Sequence, residues 1–350
     1  MRRYYTRACN FYYGNESKIL VNKNKSLPLN GNKEISFDCI EIITRKSKKK
    51  ILLKDLKKLP KLFKKQLVLD LKIITKKNKN FANLNFQKIP NIMGVLNLTP
   101  DSFSDGGKFN TKNKGIEHAL EMFKFGANII DVGGESTRPG SKTVDKKIEW
   151  SRIHKVLKSI CKKIPVSLDT RKSEIMSNGI KLGIKIINDV SGLNYDYKTH
   201  DILKKHKIPF IIQHSKGTPE NMQSKPTYKN ELLDIYDFFE KKIKILRAKG
   251  IKHDNIIIDP GIGFGKNLKH NMSLISNISI FHTLGFPILV GNSRKKFIKE
   301  LSGKNDTRER IGGTVASSIY LMKQGVQILR IHNVNELLQG IKVFKELIKK

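Results

Sequence analysis

Apolar runs of strand length alternate with longer amphipathic stretches from Asn91 to the end of the chain. Eight such runs can be counted, and they read IMGVLN, NIIDVGG, PVSLDT, KIINDV, PFIIQH, NIIIDPG, PILVGNS and QILRIHN. Continuous apolar runs are typical of strands buried on both faces, and the amphipathic stretches between them predict helices. The pattern therefore predicts repeated βα units in a parallel sheet.

Eight units in about 260 residues fit an α/β fold of the (β/α)8 TIM-barrel class. A doubly wound sheet is the competing architecture, but it usually has fewer strands and a glycine-rich dinucleotide turn after the first strand. The glycine-rich stretch DPGIGFGK, Asp259 to Lys266, matches neither the phosphate-loop spacing nor the dinucleotide fingerprint. We therefore expect a barrel over residues 91–350.

Residues 1–90 lie outside this repeat. The segment EISFDCIEIITRK alternates like a pair of strands, and LLKDLKKLPKLFKKQLVLDL has apolar residues near helical spacing, interrupted by Pro60. These patterns predict a small N-terminal α+β extension. The sequence assigns it no function, so the expected organisation is a basic extension at 1–90 followed by the barrel.

The chain carries a net charge of +37, and residues 1–90 contain 23 Lys and Arg against 6 Asp and Glu. Such an excess is compatible with a nucleic-acid surface or an anionic substrate. However, the basic clusters RKSKKK and KKNKN belong to no recognisable nucleic-acid module and have no interleaved aromatic residues. Lys, Asn and Ile are all encoded by A/T-rich codons, which is a sufficient cause, so nucleic-acid binding is not expected.

No apolar run approaches the length of a membrane span, and the residues after Arg2 and Arg3 do not form a secretion signal. We therefore expect a cytoplasmic protein without membrane contact. The three cysteines are odd in number and far apart in sequence, without zinc-site spacing. They are interpreted as free thiols.

Polar or charged residues end or closely follow each of the eight runs. They are Asn97, Asp131, Glu135, Asp169, Asn188, Asp189, His214, Asp259, Asn292, Ser293, Arg330 and His332. Any one of them alone would more often be a turn or capping residue. In a barrel all eight strand ends meet on one face, where active sites are built. Together they predict an active site.

The residue types indicate the kind of ligand. Asp169, Asn188 and Asp259 can bind a planar heterocycle with an amidine-like donor edge. The cationic side chains Lys295, Arg330 and His332 suit an anionic group or a ring carbonyl. The glycines of DPGIGFGK would let Phe264 and the backbone approach a flat ring. The expected ligand is therefore planar, polar and linked to an anion. A zinc site is not expected, because His214 has no second histidine at metal-ligand spacing, and a serine nucleophile is not expected, because no G-x-S-x-G elbow is present.

Long motifs along the barrel region resemble those of the dihydropteroate synthases, the folate-pathway enzymes of the pterin-binding barrel family. They are GVLNLTPDSFSDGGKF, GANIIDVGGESTRPGS, PVSLDT, INDVSG, IDPGIGFGK, GNSRKKFI, RIGGTVA and LRIHNV. The resemblance covers roughly three quarters of the chain. It implies a transferase that joins 6-hydroxymethyl-7,8-dihydropterin pyrophosphate to p-aminobenzoate, giving 7,8-dihydropteroate and pyrophosphate. It also implies a homodimer.

Carried over by position, the resemblance also implies roles for individual residues. The pterin would be held by Asp169, Asn188, Asp259, Phe264 and Lys295. The pyrophosphate would be held by Asn97, Thr137, Arg330 and His332, and Asn97 would be a ligand of Mg²⁺. Arg138 and Ser293 would shape the p-aminobenzoate pocket, under loops at residues 99–109 and 136–141. The catalytic group would be Asn97, Lys295, Arg330 and His332.

The chain departs from the family pattern at three positions. Gln213 and Ser215 flank His214 where the family usually has methionines, and Asn333 follows His332 where an aspartate is common. None replaces a principal ligand. We expect these residues to affect affinity and inhibitor response more than the type of reaction, and the sequence does not predict sulfonamide sensitivity.

Two other functions remain to be distinguished. One is a related pterin-binding methyltransferase acting with a corrinoid protein, against which the motifs NLTPDSFSDGG and SRK argue; a methyl-transfer assay separates the two. The other is a basic nucleic-acid-binding protein with a vestigial barrel. Steeply salt-dependent DNA binding without pteroate synthesis would indicate it.

Overall fold

The computed structural model describes residues 4–99, 111–136, 140–217 and 226–349. The extension is an antiparallel sheet with two helices. Its elements are β1 (Tyr5–Tyr13), α1 (Gly14–Asn22), β2 (Leu27–Leu29), β3 (Asn32–Ile43), β4 (Lys48–Leu52) and α2 (Lys61–Ile74). β3 pairs with β1 on one side and with β2 and β4 on the other. The predicted α+β character is confirmed, but the segment EISFDCIEIITRK contributes to one strand, β3, which ends at Ile43, instead of forming a strand pair.

The barrel strands coincide with the eight apolar runs. They are β5 (Asn91–Asn97), β6 (Ile129–Gly133), β7 (Val166–Asp169), β8 (Ile186–Asp189), β9 (Phe210–Gln213), β10 (Ile256–Asp259), β11 (Leu289–Val290) and β12 (Ile328–Ile331). The helices are α3 (Thr111–Phe125), α4 (Lys146–Ile160), α5 (Ser173–Leu182), α6 (Thr199–His206), α7 (Glu231–Ala248), α8 (Leu268–Ser276), α9 (Lys296–Ser302), α10 (Ile311–Lys323) and α11 (Val334–Leu347).

All neighbouring strands of this sheet are parallel, in the order β10-β9-β8-β7-β6-β5-β12-β11. A parallel bridge between Ile258 and Ile288 joins the two ends, and the Ile258 amide donates to the Pro287 carbonyl at 3.0 Å. The sheet is therefore closed around itself. This confirms the (β/α)8 barrel and excludes the doubly wound alternative, which leaves two free edges.

The extension packs on the outside of the barrel, against α7 and the 3-10 helix at 278–284. The Tyr5 hydroxyl donates to Asp237 Oδ1 at 2.6 Å, and Arg45 forms ion pairs with Asp234 and Asp237 at 2.8 and 2.7 Å. The Asn30 amide contacts His282 Nδ1 at 3.2 Å.

Both cysteines of the extension are buried free thiols, and strand pairing brings Cys9 opposite Cys39 despite their distance in sequence.

The last residues of the extension contribute to the barrel itself. Leu84 and Phe86 are 1% exposed and pack into the amino-terminal end of the barrel, which we call the floor. Phe81 is partly buried against the same cluster. β5 begins at Asn91, as expected, but the floor is closed by residues that precede it. The two-domain division at residue 90 stays a prediction, and this packing favours a division before about residue 80.

No helix in the described part of the chain is long and apolar enough to cross a membrane.

Candidate active site

The inside of the barrel consists of two layers, because successive side chains of a strand point to opposite faces and every second one points inward. The floor layer is apolar and fully buried, and comprises Met93, Ile129, Ile186, Ile211, Ile257, Leu289 and Ile328. The next inward residues, two positions further along, are mostly polar. We call Asp131, Asp169, Asn188, Gln213, Asp259 and Arg330 the polar ring; it lies at the carboxyl ends of the strands.

Arg330 links two carboxylates at the centre of the polar ring. Its Nε donates to Asp131 Oδ2 at 2.6 Å and its Nη2 donates to Asp169 Oδ2 at 2.8 Å. Asn188 Nδ2 also donates to Asp131 Oδ2, at 2.9 Å. Burial raises the pKa of Asp169, with Arg330 opposing the rise and Asp131 adding to it. Asp131, absent from the residues assigned by resemblance, is therefore the hub that orients two of them.

Several buried polar atoms of the barrel interior have no hydrogen-bond partner among the described residues. They are Asp131 Oδ1, Ser167 Oγ, Asn188 Oδ1 and Gln213 Nε2. Buried polar groups in native proteins are nearly always hydrogen-bonded, and leaving one unpaired costs about 1–3 kcal/mol. The atoms of Asp131, Asn188 and Gln213 belong to the polar ring at the mouth of the barrel, where a polar ligand with both donors and acceptors would satisfy them.

Asp259 begins the glycine-rich turn that covers one side of the mouth. Its Oδ1 accepts from the Gly261 amide at 2.8 Å, and burial raises its pKa to about 6, opposed by that amide and by Lys295. Gly261 has a φ of +69°, and a Cβ there would lie 2.0 Å from the His214 carbonyl. This glycine therefore serves a tight turn.

Lys295 and Phe264 form one wall of the mouth. The Lys295 ammonium lies 4.2 Å from the centroid of the half-buried Phe264 ring. Burial lowers the pKa of Lys295 to about 8, with Arg330 adding to the effect and Asp259 opposing it. A flat ring stacked near Phe264 would meet a donor in the same place.

Lys266 supports this wall from below and was not assigned a role by sequence reasoning. Its ammonium is buried, donates to the Phe264 carbonyl at 2.8 Å and contacts His214 Nδ1 at 3.1 Å. Burial lowers the pKa of Lys266 to about 7 and holds that of His214 well below its usual range. His214 is thus a neutral partner of the turn.

A cavity of about 720 Å³ opens beside the polar ring and is lined by Asn97, Phe264, Ser293, Lys295, Arg330 and His332. The His332 ring contacts Ser293 Oγ through Nδ1 at 3.0 Å, and the His332 amide donates to the same hydroxyl at 3.2 Å. The structure therefore brings together the residues assigned by resemblance in the described part of the chain. Two of the strand-end residues do not join them: Asp189 accepts from Ser191 at 2.6 Å, and Asn292 Nδ2 donates to Ser317 and Ser318 on α10 at 2.7 and 2.9 Å. Thr137 and Arg138, and most of the loops at 99–109 and 136–141, lie outside the described residues.

A buried ionic network lies where the second of these loops begins. The Glu135 carboxylate accepts from Arg171 Nε at 2.9 Å and from the Val144 amide at 2.8 Å. The second of these bonds joins the two ends of the segment from residue 135 to residue 144. Lys172 bridges Glu135, at 3.1 Å, and Glu149. Sequence reasoning noted Glu135 as a strand-end residue but missed its partners, because the signal is charge on two neighbouring loops and not a motif.

The three departures from the family pattern occupy different surroundings. Gln213 belongs to the polar ring, whereas the Ser215 hydroxyl donates to the Gly217 carbonyl at 3.2 Å. Asn333 Oδ1 accepts from Arg294 at 2.9 and 2.7 Å, and its amide donates to Glu336 at 3.0 Å. Asn333 also lines the cavity beside the polar ring, so Gln213 and Asn333 both lie on the ligand side.

A closed barrel with a polar ring above an apolar floor defines a small-molecule enzyme site at the carboxyl ends of the strands. The profile of pterin-binding enzymes matches residues 93–332, and the chain belongs to this family. Its relatives are dihydropteroate synthases: that of Clostridium beijerinckii is 42% identical over 248 residues (70% of this chain, 89% of the relative), and that of Escherichia coli K12 is 38% identical over 256 residues (73% and 90%).

Solved structures show the same relationship. Yersinia pestis dihydropteroate synthase in a sulfonamide drug complex has a TM-score of 0.72 and 36% identity, covering 76% of this chain and 97% of that protein. The Xanthomonas albilineans enzyme with 4-aminobenzoic acid has a TM-score of 0.69 and 33% identity, covering 74% and 93%. About a quarter of this chain lies outside each alignment.

Proposed function

We propose that this protein is a dihydropteroate synthase, which transfers the dihydropterin-methyl group from its pyrophosphate ester to p-aminobenzoate in folate biosynthesis. The observation that carries the proposal is the set of unpaired buried atoms in the polar ring, beside a cavity lined with cationic side chains. A pterin offers donors and acceptors on one flat ring, and its pyrophosphate needs cations. The family relationship supports the same activity.

The pterin would lie in the mouth of the barrel with its amino edge toward Asp259, Asn188 and Asp131. These side chains offer acceptors in a buried place, where each hydrogen bond discriminates strongly against ligands that lack the donor. Lys295 would donate to the ring from the side of Phe264. Asp169 would hold Arg330 in position through their 2.8 Å contact.

The pyrophosphate would lie toward Asn97, Thr137, Arg330 and His332, with Mg²⁺ beside Asn97. The described residues contain no group of three or more His, Cys, Asp or Glu side chains that could hold a metal ion. Mg²⁺ commonly keeps several waters and takes one or two side-chain oxygens together with substrate phosphates, so a single Asn97 oxygen fits it. When bound, the ion would supply positive charge to the departing pyrophosphate.

The reaction exchanges a carbon–oxygen bond for a carbon–nitrogen bond. The nitrogen lone pair of p-aminobenzoate attacks the pterin methylene carbon, the bonding pair leaves with pyrophosphate, and the new amine loses one proton to solvent. An arylamine is already unprotonated near neutral pH, so no strong general base is required. Catalysis would rest on positioning and on the charge of Arg330 and Lys295 near the leaving group.

The p-aminobenzoate would bind beside Ser293, with Arg138 contributing from its loop. Ser293 lines the cavity next to His332, which would place the second substrate close to the leaving group.

We also propose a cytoplasmic homodimer. Tyr320 on α10 and Val343 and Leu347 on α11 are exposed apolar side chains that a second copy would cover, and light scattering on purified protein tests this.

The decisive experiment is pteroate formation by the purified full-length protein, with and without Mg²⁺. We expect product and pyrophosphate in equal amounts, and loss of most activity in a chelator. Methyl transfer to a corrinoid protein without pteroate formation would instead indicate the related methyltransferases. Salt-sensitive DNA binding without either activity would indicate a nucleic-acid-binding protein.

A further inference from the structure

Gln213, at the end of β9, is a polar-ring residue to which the family resemblance gives no role. We propose that its carboxamide donates a hydrogen bond to an acceptor atom of the pterin ring, and so helps to determine ligand specificity in this chain. The inference rests on the proposed function. It concerns a position where the family usually has methionine, which has no hydrogen-bond donor.

The strand geometry places this side chain inside the barrel. Ile211, two residues earlier, belongs to the floor layer, whereas Phe210 and Ile212 pack outward in the main core beneath the helices. Gln213 is paired in register with Asp259 and is 4% exposed. Its carboxamide therefore lies in the same inward layer as the proposed pterin ligands.

The turn after β10 restricts the stem of the side chain. A Cβ at Gly261 would lie 3.4 Å from Gln213 Cγ, so the backbone of the turn passes directly over it. A long side chain confined in this way loses less rotamer freedom when it binds a ligand than an exposed glutamine would. The contact is thus partly organised in advance.

The unpaired atoms of the polar ring indicate that Gln213 is the donor and the ligand is the acceptor in this contact. Gln213 Nε2 is buried without a partner among the described residues, and the unpaired atoms of Asp131 and Asn188 are oxygens. A ligand that satisfies all three presents donors to the two oxygens and an acceptor to the amide. A pterin has both, since its amino and ring N–H groups donate and its carbonyl oxygen and unprotonated ring nitrogens accept.

The test compares Gln213→Met with Ser215→Met in the full-length protein. Each introduces the methionine of the family pattern on one side of His214, but only the first removes a polar-ring donor. The dissociation constant of 6-hydroxymethyl-7,8-dihydropterin is measured by calorimetry, and KM is measured for both substrates. Loss of one neutral hydrogen bond predicts roughly three- to tenfold weaker pterin binding for Gln213→Met.

In that variant we expect an unchanged KM for p-aminobenzoate and an unchanged or higher melting temperature, because an unpaired buried amide is removed. Ser215→Met should bind pterin within twofold of the wild type. Equal or tighter pterin binding by Gln213→Met, or an equal loss in both variants, would overturn the inference. Gln213→Glu keeps the shape and replaces the donor; it should also bind weakly near pH 8, and wild-type affinity there would overturn the inference as well. Failure of the wild-type protein to bind pterin would refute the proposed function instead.

Discussion

The floor and the mouth of the barrel are built from the same strands, two residues apart, yet they are opposite in character. The floor layer is aliphatic and is sealed by Leu84 and Phe86. The polar ring above it has three carboxylates and several unpaired buried atoms. The floor therefore stabilises the fold, whereas the mouth contains buried charges and unpaired polar atoms that destabilise it. A bound ligand can pair with these groups, so stability and binding are assigned to different layers of the barrel.

The electrostatics of Asp259 illustrate the difference. Its pKa in the folded protein is about 6, above the ordinary value of 3.8, mainly because of burial. The folded state therefore binds this proton more tightly than the unfolded state. The stability that this proton provides is full below pH 3.8 and is lost as the pH rises through about 6. Near pH 8 the ionised carboxylate destabilises the fold by about 3 kcal/mol.

The largest expected effect is at the floor. Phe86→Ala removes a ring that is 1% exposed and leaves a cavity beneath the barrel. We expect a loss of about 3–5 kcal/mol in the free energy of unfolding, measured by urea denaturation, with pterin affinity retained in the folded protein. Phe81→Ala, at a partly buried position of the same cluster, is the matched control and should cost less. Equal losses would mean that Phe86 has no special role in closing the floor.

At the mouth, Asp259→Ala should abolish a pterin contact while leaving the barrel folded. We expect kcat/KM to fall by roughly 30-fold to 1000-fold, about 2–4 kcal/mol, because a buried donor edge of the substrate is left unpaired. Asp189→Ala is the control, since Asp189 also ends a barrel strand, β8, but faces outward, where it accepts from Ser191 at 2.6 Å. Near-normal turnover of Asp259→Ala would remove Asp259 from the site.

A smaller effect is expected on the side of the second substrate. Ser293→Ala removes a hydroxyl that contacts His332 at 3.0 Å, and should raise the KM for p-aminobenzoate about fivefold. Arg138→Ala should act in the same direction. Binding of the pterin pyrophosphate, measured by calorimetry, should remain largely intact in both. Loss of pterin binding instead would show that the two pockets were assigned the wrong way round.

The pH dependence of catalysis should be the mildest effect. Pterin binding needs ionised Asp259, with a pKa of about 6, and charged Lys295, with a pKa of about 8. We therefore expect kcat/KM to be highest between these values. Lys295→Arg stays charged, so its alkaline limb should move to higher pH even if its rate is lower. An unmoved alkaline limb would assign that ionisation to another group.

The barrel and most of its mouth could be predicted from the sequence because both follow from the two-residue period of strands. An apolar run that ends in Asp or Asn predicts where the strand ends. Because alternate side chains of a strand point inward, the same run also predicts which side chains can face a ligand. The assigned residues of the polar ring lie together as predicted. The packing of the extension was not predictable, since contacts such as that of Tyr5 with Asp237 join residues far apart in sequence.

Other features were missed because their meaning depends on partners. Arg330 remains proposed for the pyrophosphate, but its contacts with Asp131 and Asp169 could not be predicted from the sequence. Lys266 could be taken for part of a turn until its burial beneath Phe264 was known. The sequence identifies Gln213 only as a departure from the family pattern. Its buried, unpaired Nε2 in the structure indicates that it can donate a hydrogen bond to a ligand.

The most direct test of the division between floor and mouth is calorimetric melting of wild type and Asp259→Asn at pH 8, with and without pterin. The amide keeps the shape of the side chain and an oxygen for the Gly261 amide, but removes the buried charge. We predict that Asp259→Asn melts several degrees higher than the wild type without ligand, and that it loses most of the pterin-induced rise in melting temperature. A variant that melts lower and still gains the full rise with pterin would contradict the account.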